Sequence, residues 1–164
     1  MNYIKIFPVV IFSLLLLVGC EKREVATSIS KNGKPVAIKL GVTVDPECGM
    51  EVKTMKHASE AILKNGKTIV FDDPGCMIKW LHKNNFKPKN VTLWTFSDDT
   101  HKWINAKKAK YVMTDSTPMH YGFGAYENKK DTSRKLINFQ EMRLRMLRGE
   151  TLKNPKIRKK LLGY

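Results

Sequence analysis

The chain has few of the residues on which most recognisable chemistry is built. Of its 164 residues three are cysteine and four are histidine, and none of them falls at a spacing that would close a Cys/His tetrahedral zinc site. No nucleophile, base and orienting group stand together as a readable catalytic set, so the sequence points away from an enzyme. Acidic residues are scarce: 15 Asp and Glu face 30 Lys and Arg, for a formal charge of +15. That imbalance is a solvated surface, or it draws the chain to an acidic protein face or to anionic lipid headgroups. Nucleic acid is the usual partner of so basic a chain, but an exported protein rarely meets it. The apolar run Ile6–Val18 is too short to span a bilayer comfortably.

That run follows Lys5 and ends in Leu17-Val18-Gly19-Cys20. The ending resembles the lipobox of bacterial lipoproteins, in which cleavage before the cysteine is coupled to its acylation. Residues 1–19 are then a signal peptide outside the fold, and Cys20 carries the lipid anchor. An ordinary secretory signal with an incidental cysteine, or an uncleaved anchor, is the plain alternative. The expected location is the cell envelope, facing the periplasm in a Gram-negative cell, where Glu21 after the cysteine suggests the outer membrane. Residues 20–37 are polar, short of aromatics and interrupted by Gly33 and Pro35, which reads as a lipidated tether.

Hydrophobic residues make up 42% of the chain, enough for a core in one domain of ordinary size or two small half-domains. The folded region is expected over 38–152, in halves of about 38–97 and 98–152. In the first, Asn65-Gly66 between two apolar runs predicts a hairpin over 58–72. Asp72-Asp73-Pro74 then caps a helix ending near Asn84-Asn85, and Val91–Phe96 is the next strand. In the second half, Trp103-Ile104 leads into a strand at 109–114, a loop carries Ser116–Gly122, and Phe123–Glu127 is a strand. Asp131 or Thr132 caps a long helix to about Leu147, Gly149 ends it, and 150–152 is a short last strand. The predicted class is α+β: two strand-strand-helix-strand halves with small mixed or antiparallel sheets, without a literal sequence repeat. Residues 153–164 form a basic tail.

Once Cys20 is assigned to the anchor, two cysteines remain, and both neighbour methionine: Cys48-Gly49-Met50 and Cys76-Met77. Thiolate with thioether is the donor set that soft Cu(I) prefers over carboxylate and water. Met119, in the loop Pro118-Met119-His120-Tyr121-Gly122, is a third soft position. Cys48, in the polar loop after Asp45-Pro46, and Met119, in a loop beside Pro118, are the leading ligand candidates. Met50 is a second thioether or covers the first sheet. His120 is exposed or a ligand, and Cys76 is a ligand, a core thiol or a disulfide partner. His57, His82 and His101 lie on polar stretches and read as solvated; Met77, Met142 and Met146 read as core.

Together DPECGM, VFDDPGCMIKWL, AKYV and STPMHYGFGAYE resemble the NosL family of copper lipoproteins, accessory to nitrous oxide reductase, over roughly Val44 to Leu152. The resemblance implies two strand-strand-helix-strand halves and a lipid-anchored Cu(I) carrier that is no enzyme. It further implies delivery through a membrane-bound maturation complex to nitrous oxide reductase as the eventual recipient. It carries the family's cysteine onto Cys48 and its loop methionine onto Met119. The rival reading is a disulfide-stabilised envelope lipoprotein, with Cys48 paired to Cys76 and a basic face that binds a protein partner.

Overall fold

The computed structural model describes residues 24–25, 27–128 and 133–164; the signal segment, Cys20, and the caps expected at Asp131 or Thr132 lie outside them. Its frame is the predicted hairpin. Strands β1 (Glu24–Val25), β2 (Thr27–Ile29), β3 (Thr43–Val44), β4 (Ser59–Ile62) and β5 (Lys67–Phe71) come first, and β4 and β5 pair antiparallel with Ala61 opposite Ile69. The turn works because Gly66 sits at φ +81, a left-handed conformation that costs glycine nothing. Helix α1 (Pro74–Lys83) follows. The Asp73 carboxylate accepts from the Gly75 N–H at 2.8 Å, a cap contributing about 1 kcal/mol, and Pro74 stands in the first turn, where its missing donor is not needed.

A single 3-10 turn at Pro88–Asn90 leads into β6 (Thr92–Phe96), then β7 (Trp103–Asn105). The five-stranded antiparallel sheet runs β2-β5-β4-β6-β7. Trp103-Ile104, expected to open the second half, therefore closes the first sheet. β4 is buried at all four positions because the sheet is covered on both faces. On one face, Met77, Ile78 and Leu81 of α1 join Phe71, Leu93 and Tyr111 in the main core. On the other, Val36 and Ile38 pack against Val52, Ala58 and Val70.

That second cover corrects the tether. The expected tether ran to residue 37, yet β2 adds an edge strand to β5, Trp94 Nε1 donates to the Gly33 carbonyl at 2.9 Å, and the Val36 N–H donates to Glu60 Oε2 at 3.1 Å. A polar segment is held here by backbone pairing and side-chain bonds that hydropathy does not register.

The second half is smaller than predicted. β8 (Lys110–Tyr111) and β9 (Ala125–Tyr126) pair antiparallel, and Ile137 bridges Tyr111. That bridge holds Ile137 extended, so α2 (Phe139–Leu147) starts well after the expected caps, with Asn138 accepting from the Glu141 N–H at 2.9 Å. Residues 150–152 form a turn, not a strand. The basic tail becomes α3 (Pro155–Leu162), which buries no residue. Phe139, Met142 and Met146 of α2 complete the main core. The class is α+β, with strand-strand-helix-strand order intact in the first half and reduced in the second.

Candidate metal centre

Two turns of the same design bring the site together. Asp45-Pro46-Glu47-Cys48 and Asp73-Pro74-Gly75-Cys76 share the pattern Asp-Pro-x-Cys. In the first, Asp45 Oδ1 accepts from the N–H groups of Glu47 (2.7 Å) and Cys48 (3.4 Å), and the Gly49 N–H reaches the Asp45 carbonyl at 2.8 Å. In the second, Asp73 caps α1. Each cysteine thus stands three residues after a capping aspartate, where proline fixes the entry and the first N–H groups are satisfied by the cap.

The turns are then tied to one another. Asp45 Oδ2 accepts from the Asp72 N–H at 3.0 Å, and the Cys48 thiol lies 3.5 Å from Asp72 Oδ1 as its donor. Ligand atoms of Asp45, Cys48, Asp72 and Cys76 all lie within 4.8 Å of one another. Cys76 is fully buried and Cys48 partly exposed; both are free thiols.

Burial governs the protonation of this cluster. The Cys48 thiol is pushed up to about 12, chiefly by desolvation and further by the carboxylates of Asp45 and Asp72. Cys76 is pushed higher for the same reasons. Asp72 rises to about 8 through burial and the neighbouring Asp45. Four groups that could each be anionic cannot all be so in one dry pocket, so without a cation the thiols keep their protons at neutral pH. Sulfur is a soft donor, so these two cysteines are the residues that could hold a soft metal ion in place of their protons.

The loop at 117–122 closes over the same end. The Met119 N–H donates to Asp73 Oδ2 at 3.1 Å, and Thr117 Oγ1 accepts from the N–H groups of Tyr121 and Gly122 at 3.1 and 3.2 Å. Gly75 is required for space: a Cβ there would stand 2.3 Å from Tyr121 Cδ2 and 2.9 Å from Met146 Sδ. Met119 and Cys48 are both partly buried against the main core. Beside the cluster opens a cleft of about 430 Å³, whose wall includes Gly49, Met50, Asp72, Pro118, Lys53 and Lys56.

The candidates distribute as follows. Cys48 and Cys76 meet directly, Met119 is bound through its backbone to the aspartate beside Asp72, and Met50 lies in the cleft wall, 37% exposed. His120 is exposed at φ +55 and stands outside the four-residue cluster. Met77, Met142 and Met146 are core, as predicted. His82 and His101 are exposed, but His57 is buried, against expectation. Sequence reasoning missed Asp45 and Asp72 as members of the site, having read them as loop and cap; the duplicated Asp-Pro-x-Cys pattern is the signal that pairs the two segments.

Among solved structures, the crystal structure of the copper chaperone NosL from Shewanella denitrificans is similar to this chain. The match has a TM-score of 0.54 at 20% identity and covers 68% of this chain and 96% of that one. The fold is NosL-like. No family model matches the sequence, and no curated protein does.

Proposed function

We propose that the chain is a Cu(I) carrier that receives the ion between the Cys48 and Cys76 thiolates and yields it to a recipient protein. The observation that carries this reading is the convergence of two free thiols in one carboxylate-lined pocket at the cleft mouth. The likeness to a copper chaperone supports it. Thiolate sulfur, with the Met119 thioether within the adjoining loop, selects Cu(I) over the hard cations that carboxylates alone would hold.

A carrier must exclude its cargo from solvent and still admit an incoming ligand. Cys76, at no exposure, supplies the dry side, and Cys48, next to the cleft, supplies the open one. Asp72, held neutral by its surroundings below about pH 8, accepts the Cys48 proton contact and limits the charge of the empty pocket. A closed four-ligand cage would instead make a storage or structural centre. In this role the chain is not an enzyme.

The wider setting belongs to the same proposal. Acylated Cys20 holds the carrier to the envelope membrane, concentrating it beside a membrane-bound nitrous oxide reductase maturation complex, with that reductase as the final client. The test of the core reading is competition of the reduced protein against a Cu(I) chelator. One tightly held Cu(I) per chain, with Zn(II) weaker at the same residues, is expected; equal or tighter Zn(II) binding by these thiols would sink it. Deleting the gene should leave nitrous oxide reductase poor in copper, and normal loading would redirect the carrier to another client. Cys20→Ala should release the protein from the membrane while leaving its Cu(I) affinity intact.

A further inference from the structure

We propose that α3 (Pro155–Leu162) is a docking helix for an anionic lipid surface, lying flat in the headgroup layer. It contains none of the residues assigned to the copper site. The helix is made by its own ends. Asn154 Oδ1 accepts from the Lys156 N–H at 3.0 Å, and Pro155 stands in the first turn. At the other end the Gly163 N–H donates to the Lys159 carbonyl at 2.9 Å, with Gly163 at φ +85. A helix so capped that buries no residue adds no side chain to the core. Its faces are open to another surface.

The chemistry of those faces identifies the surface. From Lys153 to Tyr164 the chain carries five cations, Lys153, Lys156, Arg158, Lys159 and Lys160, and no acidic residue. The helix cations are all exposed, and among the described residues none of their side chains has an ion-pair partner. Ile157 and Leu161 share one stripe of the helix, flanked by Arg158 on one side and Lys160 on the other. Those two long side chains can lay their stems along the stripe and hold their charges at the level of lipid phosphates.

Lys156 and Lys159 point toward the remaining side, so positive charge surrounds the helix and forms no single shaped patch. Such a diffuse cationic surface around a narrow apolar stripe suits the smeared negative charge of a bilayer better than the fixed carboxylates of a folded protein. Tyr164, 79% exposed just past the helix, is an aromatic of the kind that settles at membrane interfaces. No described helix is long and apolar enough to cross a membrane. The contact is therefore peripheral, and chiefly electrostatic.

The test uses the chain from residue 20 with Cys20→Ala, so that neither the signal segment nor the anchor contributes. At low salt it should sediment with vesicles of phosphatidylcholine mixed with phosphatidylglycerol, stay in solution with phosphatidylcholine alone, and be released from the mixed vesicles by high salt. Each basic residue near such a surface raises partition roughly fivefold, so replacing Lys156, Arg158 and Lys160 together by Gln should lower it about a hundredfold. Gln keeps the helix propensity, and circular dichroism and Cu(I) affinity check that fold and copper site are intact. Tyr164→Trp, on an otherwise unsubstituted helix, reads the same contact independently: its emission should move to shorter wavelength with the mixed vesicles only. Mixed vesicles that leave the chain in solution overturn the proposal. So does a Gln variant that binds them undiminished, which would put the lipid contact elsewhere on the basic surface. Helix-dependent retention on polyglutamate without vesicle binding would assign α3 to an acidic protein instead. None of these results touches the copper reading.

Discussion

The pH dependence of Cu(I) affinity distinguishes a two-thiolate site from a one-thiolate site. Burial pushes Cys48 up to about 12 and Cys76 further, so both carry protons throughout the range from pH 6 to 8. Cu(I) binds sulfur as thiolate only by displacing them, and each displaced proton raises log K by about one per pH unit. With both cysteines as ligands, affinity should rise about 10⁴-fold from pH 6 to pH 8, roughly 2.7 kcal/mol per pH unit. Asp72 adds little to this slope: two thiolates and one Cu(I) leave the pocket negative, and a carboxyl already pushed to about 8 by burial and Asp45 keeps its proton beside them. If Cys48 acts alone the rise is about 10²-fold. The assay is chelator competition at fixed copper in a series of buffers, with the chelator's own protonation accounted for. Cys76→Ser should cut the slope from about two to about one and weaken binding, giving the helix thiol a larger part than the sequence alone suggests. A slope near one in the unsubstituted chain, unchanged by Cys76→Ser, would refute the reasoning.

Met119→Leu should weaken Cu(I) binding by roughly 10–100-fold with circular dichroism unchanged, and an unaltered affinity would remove the loop from the site. Gly124→Ala should cost about 1–3 kcal/mol in urea unfolding, because the new methyl displaces Asp115 from Tyr126 and Arg134; an unmoved midpoint would contradict the packing. The metal-free protein should lose stability as pH rises from about 4 to about 8. Burial pushes Asp72 up to about 8 and Glu60 and Asp98 to about 7, so the folded state holds protons that the unfolded chain has already released. Each retained proton contributes a fall of about 1.4 kcal/mol per pH unit between the two pKa values. Melting temperatures that rise across this range would show the carboxyls to be ionised in the fold.

Local chemistry made some elements legible and hid others. Asn65-Gly66 and Asp73-Pro74 announce the hairpin and α1 because turn and cap each need particular residues. β2 gives no such sign: Thr27-Ser28-Ile29 is held to β5 by backbone pairing, which any non-proline sequence can supply. The start of α2 is hidden because Ile137 reads as helix by hydrophobic spacing, while its partner Tyr111 lies far away in sequence. In the site, Cys76 is ambiguous from spacing alone, since a thiol at an apolar helix position looks the same whether it faces the core or a second thiol. His57 fails for the opposite reason. It lies on a polar stretch, and segments distant in sequence, at Asp98 and at Asp115-Ser116, come up against it in the fold.

Strand β1, the first of the described chain, also sets a leash length. If Cys20 is the membrane attachment, only the few residues before Glu24 separate the acyl chain from the first described strand, a reach of at most roughly 14 Å when fully drawn out. A seventeen-residue tether would let the domain roam several times farther and turn freely. On the short leash the protein rides against the bilayer, and the surfaces it can offer are those that clear the headgroups. A recipient must then come to it within the same membrane-hugging layer, so lengthening this segment with a flexible insert should slow transfer to a membrane-bound recipient without touching affinity for copper.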